Sequence, residues 1–482
     1  MSRSVRCGSF ADQICEFSGE FMDFKKLKMR ILKLVHFAIS VGLFFACWSL
    51  FYNKGATDLQ LRFDLLISCC YAICLISLGR VYKMYVVGFN RVSSLIYTQS
   101  LASVISIGIT YVLHFFAYLK LANPLPLIAL FVIQVGLNVA WSYVANRIYF
   151  SMHQPKRTVL VYRNENDLER LGEANKFPQK FVVEKCVQCD SDDYEEIVEV
   201  IGDYEAVFVA GVNATLRNAI AKYCVDKGIL GYFVPHVGDI IMMGSRYVVQ
   251  FSVPVMNVRR ATLDPEYVII KRLIDIFVSL CGIIVLSPLM AVVAVAIKAY
   301  DKGPVLYKQT RLTKDGKEFK IWKFRSMKVD AEKDGVARLA SDNDDRITPI
   351  GKIVRACRFD ELPQLFNILS GDMTIVGPRP ERPEIAAQYE EVLPSFRLRL
   401  QVKAGLTGTA QIYGKYNSTP YDKLEMDLLY INNMSLLEDI KLMFGTIRIL
   451  FMKDSTSGVE EGQITAVKDS EDFKAKEENV QI

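Results

Sequence analysis

Two acidic residues stand side by side in Arg355-Ala-Cys-Arg358-Phe-Asp360-Glu361-Leu-Pro363-Gln364, with arginines ahead of them and a proline just behind. Ten residues on, Gly371-Asp-Met-Thr374-Ile-Val-Gly377-Pro378-Arg379-Pro380 ends in a Gly-Pro turn. Its restricted backbone would hold an arginine in one place, as a phosphate site requires. A carboxylate can attack phosphorus and carry the group covalently, and a divalent metal can screen the opposed charges. The pattern therefore points to phosphoryl chemistry. An isolated Asp-Glu pair is far more often solvated surface, so the flanking residues decide between the two readings.

Residues 308–325 alternate basic and apolar around Asp315-Gly316, which predicts a hairpin ending in Lys323-Phe-Arg325-Ser-Met327. The polar run Asp342-Asn-Asp-Asp345-Arg346-Ile-Thr-Pro-Ile-Gly351 opens a helix expected over 352–367, through the acid pair. At helical spacing Arg355, Arg358, Asp360 and Glu361 do not share one tight face, and Arg358 and Glu361 have the i,i+3 spacing of a structural bridge. Further on, Val402-Lys403-Ala404-Gly-Leu-Thr-Gly408 is a glycine-bearing turn, followed by Tyr413-Gly-Lys-Tyr416. Asp422 and Asp427 read as solvated charge rather than as acids supporting the pair. Residues 434–451 carry apolar side chains at helical spacing, a helix that either packs as core or lies in the membrane plane. Beyond Lys453 the chain is polar and acid-rich, the composition of a disordered tail.

The 482 residues are 51% hydrophobic and the mean hydropathy is positive, so part of the chain belongs in a bilayer. A net charge of +5 without an aromatic-basic stripe excludes a nucleic-acid partner from the expectation. Eleven cysteines are scattered; Cys186-Val-Gln-Cys189 is a single CxxC, open to zinc or redox use but read first as reduced thiols. Residues 34–52, 65–79, 92–119 and 125–146 are apolar runs of spanning type, the second reaching residue 87 only by including Arg80 and Lys83. His114 in the third is read as a helix-packing or interfacial residue rather than a ligand. Lys25, Lys26, Lys28, Arg30 and Lys33 precede the first run, Arg80, Lys83 and Arg91 lie between the second and third, and Arg147, Lys156 and Arg157 follow the fourth. That asymmetry predicts four spans with both ends cytoplasmic.

Next come strands at 158–162, 181–183, 206–210 and 229–234, alternating with helices at 165–176, 192–201 and 215–227. The alternation predicts a parallel, doubly wound sheet. Arg163-Asn-Glu-Asn follows the first strand where a dinucleotide site needs GxGxxG, so this Rossmann-like module is read as regulatory or assembly machinery. A fifth apolar run, 276–297, is long enough to span but has basic flanks on both sides: Arg259, Arg260, Lys271 and Arg272 before, Lys298, Lys302, Lys308, Arg311 and Lys314 after. Ser287-Pro288 interrupts it. Its first half, about 16 Å at the helical rise, covers roughly half the hydrocarbon thickness. The expectation is a helix-break-helix that enters and leaves by the cytoplasmic leaflet, with a kinked span as the rival. Arg272 and Asp275 have the spacing to pair at the interface.

Arg325-Ser-Met, Asp345-Arg-Ile-Thr, Asp360-Glu-Leu-Pro-Gln, Gly371-Asp-Met-Thr-Ile-Val-Gly-Pro-Arg-Pro and Lys403-Ala-Gly-Leu-Thr-Gly, in that order, resemble the motifs of the bacterial sugar transferase family, the polyprenyl-phosphate hexose-1-phosphate transferases. The resemblance covers residues 267–450, and by layout the preceding segments are similar to long-form members that start exopolysaccharide, capsule or O-antigen synthesis. It implies transfer of a sugar 1-phosphate from a UDP-hexose to undecaprenyl phosphate with release of UMP, in the bacterial inner membrane with the catalytic domain facing the cytoplasm. It implies Asp360 as the nucleophile of a covalent intermediate, Glu361 with Asp360 as Mg2+ contacts, Arg379 as a phosphate binder, and Ser287-Pro288 as the break of a re-entrant helix preceded by Lys271-Arg272. Arg325, Arg355 and Lys403 are the further substrate-binding candidates. Ala404 stands where the family more often has proline, and Thr374 where serine is common. An exposed aspartate, with a reference pKa of about 3.9, would need no base to activate it.

The expected layout is an N-terminal cytoplasmic segment to residue 30, a four-helix transmembrane bundle over 31–150, the Rossmann-like module over 151–260, a mainly α catalytic domain over 261–452 with its re-entrant helix at 273–297, and the tail. Two other functions stay open: a UDP-releasing glycosyltransferase acting on a lipid-linked sugar, and a non-catalytic scaffold for polymer assembly. Self-association through the spans or the module is open too.

Overall fold

The apolar runs become long helices. The computed structural model describes residues 10–52, 58–88, 90–172, 178–189, 194–250, 252–329, 331, 344, 346–414 and 419–450. The expected tail, Asp342, Asn343 and Asp345 of the polar loop, and Lys415-Tyr416 lie outside them. The chain divides into two compact units at Phe233/Val234, ahead of the module boundary expected at 260.

In the first unit, α1 (Phe10–Phe51), α2 (Asp58–Val81), α3 (Val92–Tyr118) and α4 (Leu125–Met152) match the four expected runs. Each contains a segment long and apolar enough to cross a membrane. Several of their polar side chains turn inward and find partners there, which lowers the cost of placing them in hydrocarbon. His36 Nδ1 lies 2.9 Å from the Tyr85 hydroxyl and its Nε2 lies 3.1 Å from Asn138 Oδ1, while Gln134 donates to Ser40 O and to the Tyr71 hydroxyl. The His114 ring meets Trp48 edge-on at 5.2 Å, the packing role expected of it.

The same unit carries a parallel four-stranded sheet of β1 (Lys156–Tyr162), β2 (Phe181–Gln188), β3 (Ala206–Val209) and β4 (Leu230–Phe233), in the order β2-β1-β3-β4. The helices α5 (Glu165–Leu171), α6 (Tyr194–Ile201) and α7 (Ala214–Lys227) connect them. In register, Thr158 faces Val183 on one side and Ala206 on the other. The order reverses at β1, which makes the sheet doubly wound as expected. Val159, Val161, Val207 and Ile220 are fully buried and form its core. Cys189 is buried and Cys186 exposed.

The second unit begins with α8 (Val237–Met243) and a hairpin of β5 (Arg246–Gln250) and β6 (Val253–Asn257). Next, α9 (Pro265–Asp301) is one continuous helix of 37 residues, also apolar enough to cross a membrane. No second helix starts at Ser287-Pro288, contrary to the helix-break-helix expectation. Proline 288 cannot donate to the carbonyl of residue 284, and the Ser287 hydroxyl takes over, donating to Ile284 O at 2.8 Å. Arg272 and Asp275 do not pair with each other. Arg272 caps the end of a later helix through Ile368 O (2.6 Å) and Leu369 O (2.8 Å), and Asp275 accepts from Thr374 Oγ1 (2.7 Å) and Ile375 N (3.0 Å).

The expected hairpin follows as antiparallel β7 (Leu306–Leu312) and β8 (Glu318–Phe324). Then come α10 (Pro349–Ala356), a 3-10 turn (Phe359–Glu361), α11 (Gln364–Ser370), β9 (Thr374–Val376), α12 (Pro383–Val392), a 3-10 segment (Pro394–Gln401), β10 (Gly405–Thr407), α13 (Thr409–Tyr413), α14 (Pro420–Asn432) and α15 (Leu436–Leu450). Ile368, Met373, Val376, Tyr389, Phe396, Leu424 and Leu442 belong to one buried core, so α15 packs as core along the face that carries Leu442.

Candidate active site

Three elements converge on the acid pair. The single helix expected over 352–367 is interrupted: α10 stops at Ala356, Arg358 takes a left-handed backbone (φ 54°), and Asp360 and Glu361 sit on the 3-10 turn. A non-glycine residue at positive φ is strained unless its surroundings impose it. Pro363 then contributes no N–H to a continuous helix, and α11 starts one residue later. The acids therefore lie at a corner between two helices.

From β8, Lys323 points into that corner. Its Nζ lies 3.3 Å from Glu361 Oε1 and 3.8 Å from Asp360 Oδ2. From the loop after β9, Arg379 Nη2 donates to the same Glu361 Oε1 at 2.9 Å. The Arg379 side chain is 44% exposed, whereas Glu361 is only 14% exposed, so the arginine joins the acid pair to the open side. Burial pushes the Asp360 carboxyl above the usual carboxylate range, Lys323 opposes the shift, and the neighbouring Glu361 charge reinforces it. Burial acts on Glu361 in the same sense, but Arg379, Lys323 and Arg358 outweigh it and hold that carboxyl well below its ordinary value. The two acids are thus driven apart, with Glu361 the first to ionise. The expectation of an exposed aspartate that ionises unaided is corrected: Asp360 is 14% exposed, and its charge is supported by Lys323.

The expected site residues separate into two groups. Asp360, Glu361 and Arg379 are brought together, and Arg355, in the last turn of α10, adds its field to Asp360. Arg325 stands elsewhere. It is 8% exposed, its two Nη atoms are engaged by the Asp301 carboxylate and its Nε donates to Pro304 O at 2.7 Å. Lys403 donates to Gly371 O at 2.8 Å, at the C-terminal end of α11. Ser287 and Pro288 lie within α9. Asp427 is not solvated: it is 1% exposed and pairs with Arg399 at 2.7 Å. Asp422 caps its own helix, accepting from Thr419 N at 3.1 Å. Lys323 is the residue missed as a site member. Strand alternation puts it on the face of Phe319 and Ile321, both buried, and a lysine on a buried face needs an anionic partner.

The two glycine-bearing motifs are physically one structure. β9 and β10 pair in parallel, Gly377 N donates to Thr407 O at 2.8 Å and Gly405 N donates to Pro378 O at 2.9 Å. A Cβ on Gly405 would collide with the Gly377 backbone, so the Gly-Pro-Arg-Pro loop is held by a contact that only glycine permits. Ala404, in the place of the more usual proline, donates its N–H to Thr313 Oγ1 at 3.1 Å, a bond proline could not make.

Among the described residues no three His, Cys, Asp or Glu side chains cluster as a metal-binding group. Asp360 and Glu361 nevertheless offer hard oxygen donors next to the cations Lys323 and Arg379. That set fits Mg2+, which is commonly held by one or two carboxylates plus substrate phosphates and water.

The model of the family described as bacterial sugar transferase matches residues 266–453. The UDP-glucose:undecaprenyl-phosphate glucose-1-phosphate transferase of Klebsiella pneumoniae is 40% identical over 237 residues, covering 48% of this chain and 50% of that protein. The UDP-N-acetylgalactosamine-undecaprenyl-phosphate N-acetylgalactosaminephosphotransferase of Aeromonas hydrophila is 42% identical over 190 residues, 39% of this chain and 45% of that protein. The exopolysaccharide production protein PSS of Rhizobium leguminosarum bv. phaseoli is 42% identical over 188 residues, 37% of this chain and 94% of that protein. The chain thus spans about half the length of the first two relatives and nearly all of the third. With the acid pair, the Gly-Pro-Arg-Pro loop and the glycine turn all inside the matched region, the chain belongs to the bacterial sugar transferase family.

Proposed function

We propose that this protein transfers a sugar 1-phosphate from a UDP-sugar to undecaprenyl phosphate, releases UMP, and so begins synthesis of a surface polysaccharide. The observation that carries the reading is the Asp360–Glu361 corner, where a nucleophilic carboxylate and the cations Lys323 and Arg379 share one cluster. The names of the relatives support the substrate class and are divided between glucose and N-acetylgalactosamine as the sugar.

An Asp360 carboxylate oxygen attacks the β-phosphorus of the UDP-sugar. The bond from that phosphorus to the bridging oxygen breaks, UMP leaves with the oxygen, and an acyl phosphate links Asp360 to the sugar phosphate. A phosphate oxygen of the lipid then attacks the same phosphorus and frees the Asp360 carboxylate, leaving a sugar diphospho-lipid. Arg379 binds donor phosphate oxygens, giving up Glu361 as it does so, and Lys323 keeps Asp360 ionised. Asp360 and Glu361 would hold Mg2+, which would screen the negative charge of the phosphates. Two half-reactions at one carboxylate let a soluble donor and a lipid acceptor use the site in turn. In this reading α9, a single helix apolar enough to cross a membrane, anchors the catalytic unit at the inner membrane with the acid corner on the cytoplasmic side.

The test is a reaction of purified full-length protein with Mg2+, undecaprenyl phosphate and a panel of UDP-sugars, measuring UMP and UDP separately. Lipid-dependent UMP release is expected, and the active donor identifies the sugar. UDP release would instead indicate a glycosyltransferase, and product formation with neither nucleotide released would contradict the reaction.

A further inference from the structure

Arg379 works from a loop, and a loop arginine is useful only if its backbone is fixed. Pro378 and Pro380 restrict their own φ angles. They do not set the peptide between Arg379 and Pro380, whose nitrogen has no hydrogen and whose carbonyl therefore dominates its orientation. That carbonyl accepts from Arg399 Nη2 at 2.9 Å. The next carbonyl, of Pro380, accepts from Arg311 Nη1 at 3.1 Å. Arg399 comes from the 3-10 segment Pro394–Gln401, is 3% exposed, and is itself anchored at 2.7 Å by the buried Asp427 of α14. Glu381 completes the cluster, 3.7 Å from Arg399, 3.8 Å from Arg311 and 3.8 Å from Lys423. A chain of contacts thus runs from Asp427 by an ion pair to Arg399, and by hydrogen bonds from Arg399 to the Arg379 carbonyl and from the Arg379 side chain to Glu361 of the acid pair.

We infer that Arg399, oriented by Asp427, is a positioning residue for Arg379. The inference rests on the phosphate-binding role proposed for Arg379. Holding the fold alone does not call for such a cluster, because well-packed apolar side chains do that at least as well as buried charges. They would leave the Arg379 and Pro380 carbonyls without donors. Arginine suits the task because its Nη2 meets Asp427 Oδ2 and the Arg379 carbonyl while Nη1 of the same rigid fork faces Glu381, a three-way placement that a lysine ammonium does not reproduce.

The experiment is a double-mutant cycle on the full-length enzyme, reading kcat/KM and thermal midpoint. Arg399→Lys is expected to lower kcat/KM about 10- to 100-fold, the scale of loss when a phosphate clamp is misplaced by an ångström or so. In an Arg379→Ala background the same change is expected to cost less than about twofold, because what it positions is gone. Losses that multiply across the two backgrounds would overturn the inference and leave the role of Arg379 standing. An Arg379→Ala enzyme as active as wild type would overturn both. Should Arg399→Lys fail to fold, Asp427→Asn, which keeps shape and volume, goes through the same cycle under the same criteria.

Discussion

Lys323 Nζ lies 3.8 Å from Asp360 Oδ2, so a half-buried ammonium on a strand faces the carboxylate proposed to attack phosphorus. Burial raises the Asp360 carboxyl and Lys323 is the largest force opposing it. In Lys323→Met the apparent pKa of the acid pair moves up, so the acidic limb of the pH–rate profile shifts to higher pH. At neutral pH kcat/KM falls about 10- to 100-fold. Lys323→Arg restores part of it. A profile unchanged in Lys323→Met would show that Asp360 needs no cationic support.

Arg325 is expected to serve the fold. Its guanidinium is consumed by Asp301 and the Pro304 carbonyl, which ties β8 to the end of α9. Arg325→Met lowers the thermal midpoint while KM for the UDP-sugar stays within about twofold of wild type. A large rise in KM with an unchanged midpoint would return Arg325 to the substrate site.

Ser287 and Pro288 are coupled through the Ile284 carbonyl. Ser287→Ala leaves that carbonyl without a donor and costs about 1 kcal/mol, read from denaturation of the reconstituted protein. Pro288→Ala restores a backbone N–H at position 288, so Ser287→Ala costs little in that background. Equal costs in both backgrounds would mean that the hydroxyl does something other than replace the missing bond.

Glu381 gives a pH signature in stability. Burial pushes its carboxyl up, but Lys423, Arg399, Arg311 and Arg379 outweigh burial and hold it below its ordinary value. A folded pKa below the unfolded one, about 4.3 for glutamate, stabilises the protein above that pH. This contribution is lost as pH falls through the folded pKa. The difference in thermal midpoint between wild type and Glu381→Gln is therefore expected to be full above about pH 5 and to shrink below about pH 4. A difference that grows on acidification would contradict the ion cluster.

Local pattern was enough to read the four apolar helices, the parallel sheet and the Asp315-Gly316 hairpin, because each is an element whose period shows in a short window. The acid pair was legible as a candidate from its arginines and the nearby Gly-Pro-Arg-Pro turn. Its setting was not. The left-handed Arg358 that breaks the expected helix runs against the local preference of an arginine, so no short window shows it. The partners of Arg325, Arg272, Asp275 and Asp427 are separated from them by 21 to 100 residues, so spacing alone could not show them. Lys323 had a local signal in the Phe319–Ile321–Lys323 alternation, where a lysine continues a buried face.

A covalent intermediate on Asp360 would leave a mass that can be read directly. Full-length protein incubated with the active UDP-sugar and Mg2+, without lipid acceptor, can be digested and its peptides weighed. A hexose-phosphate mass on the peptide containing Asp360, absent in Asp360→Asn and discharged by undecaprenyl phosphate, is the predicted result. Sugar transfer to lipid with no adduct under any quench, or full activity in Asp360→Asn, would contradict it.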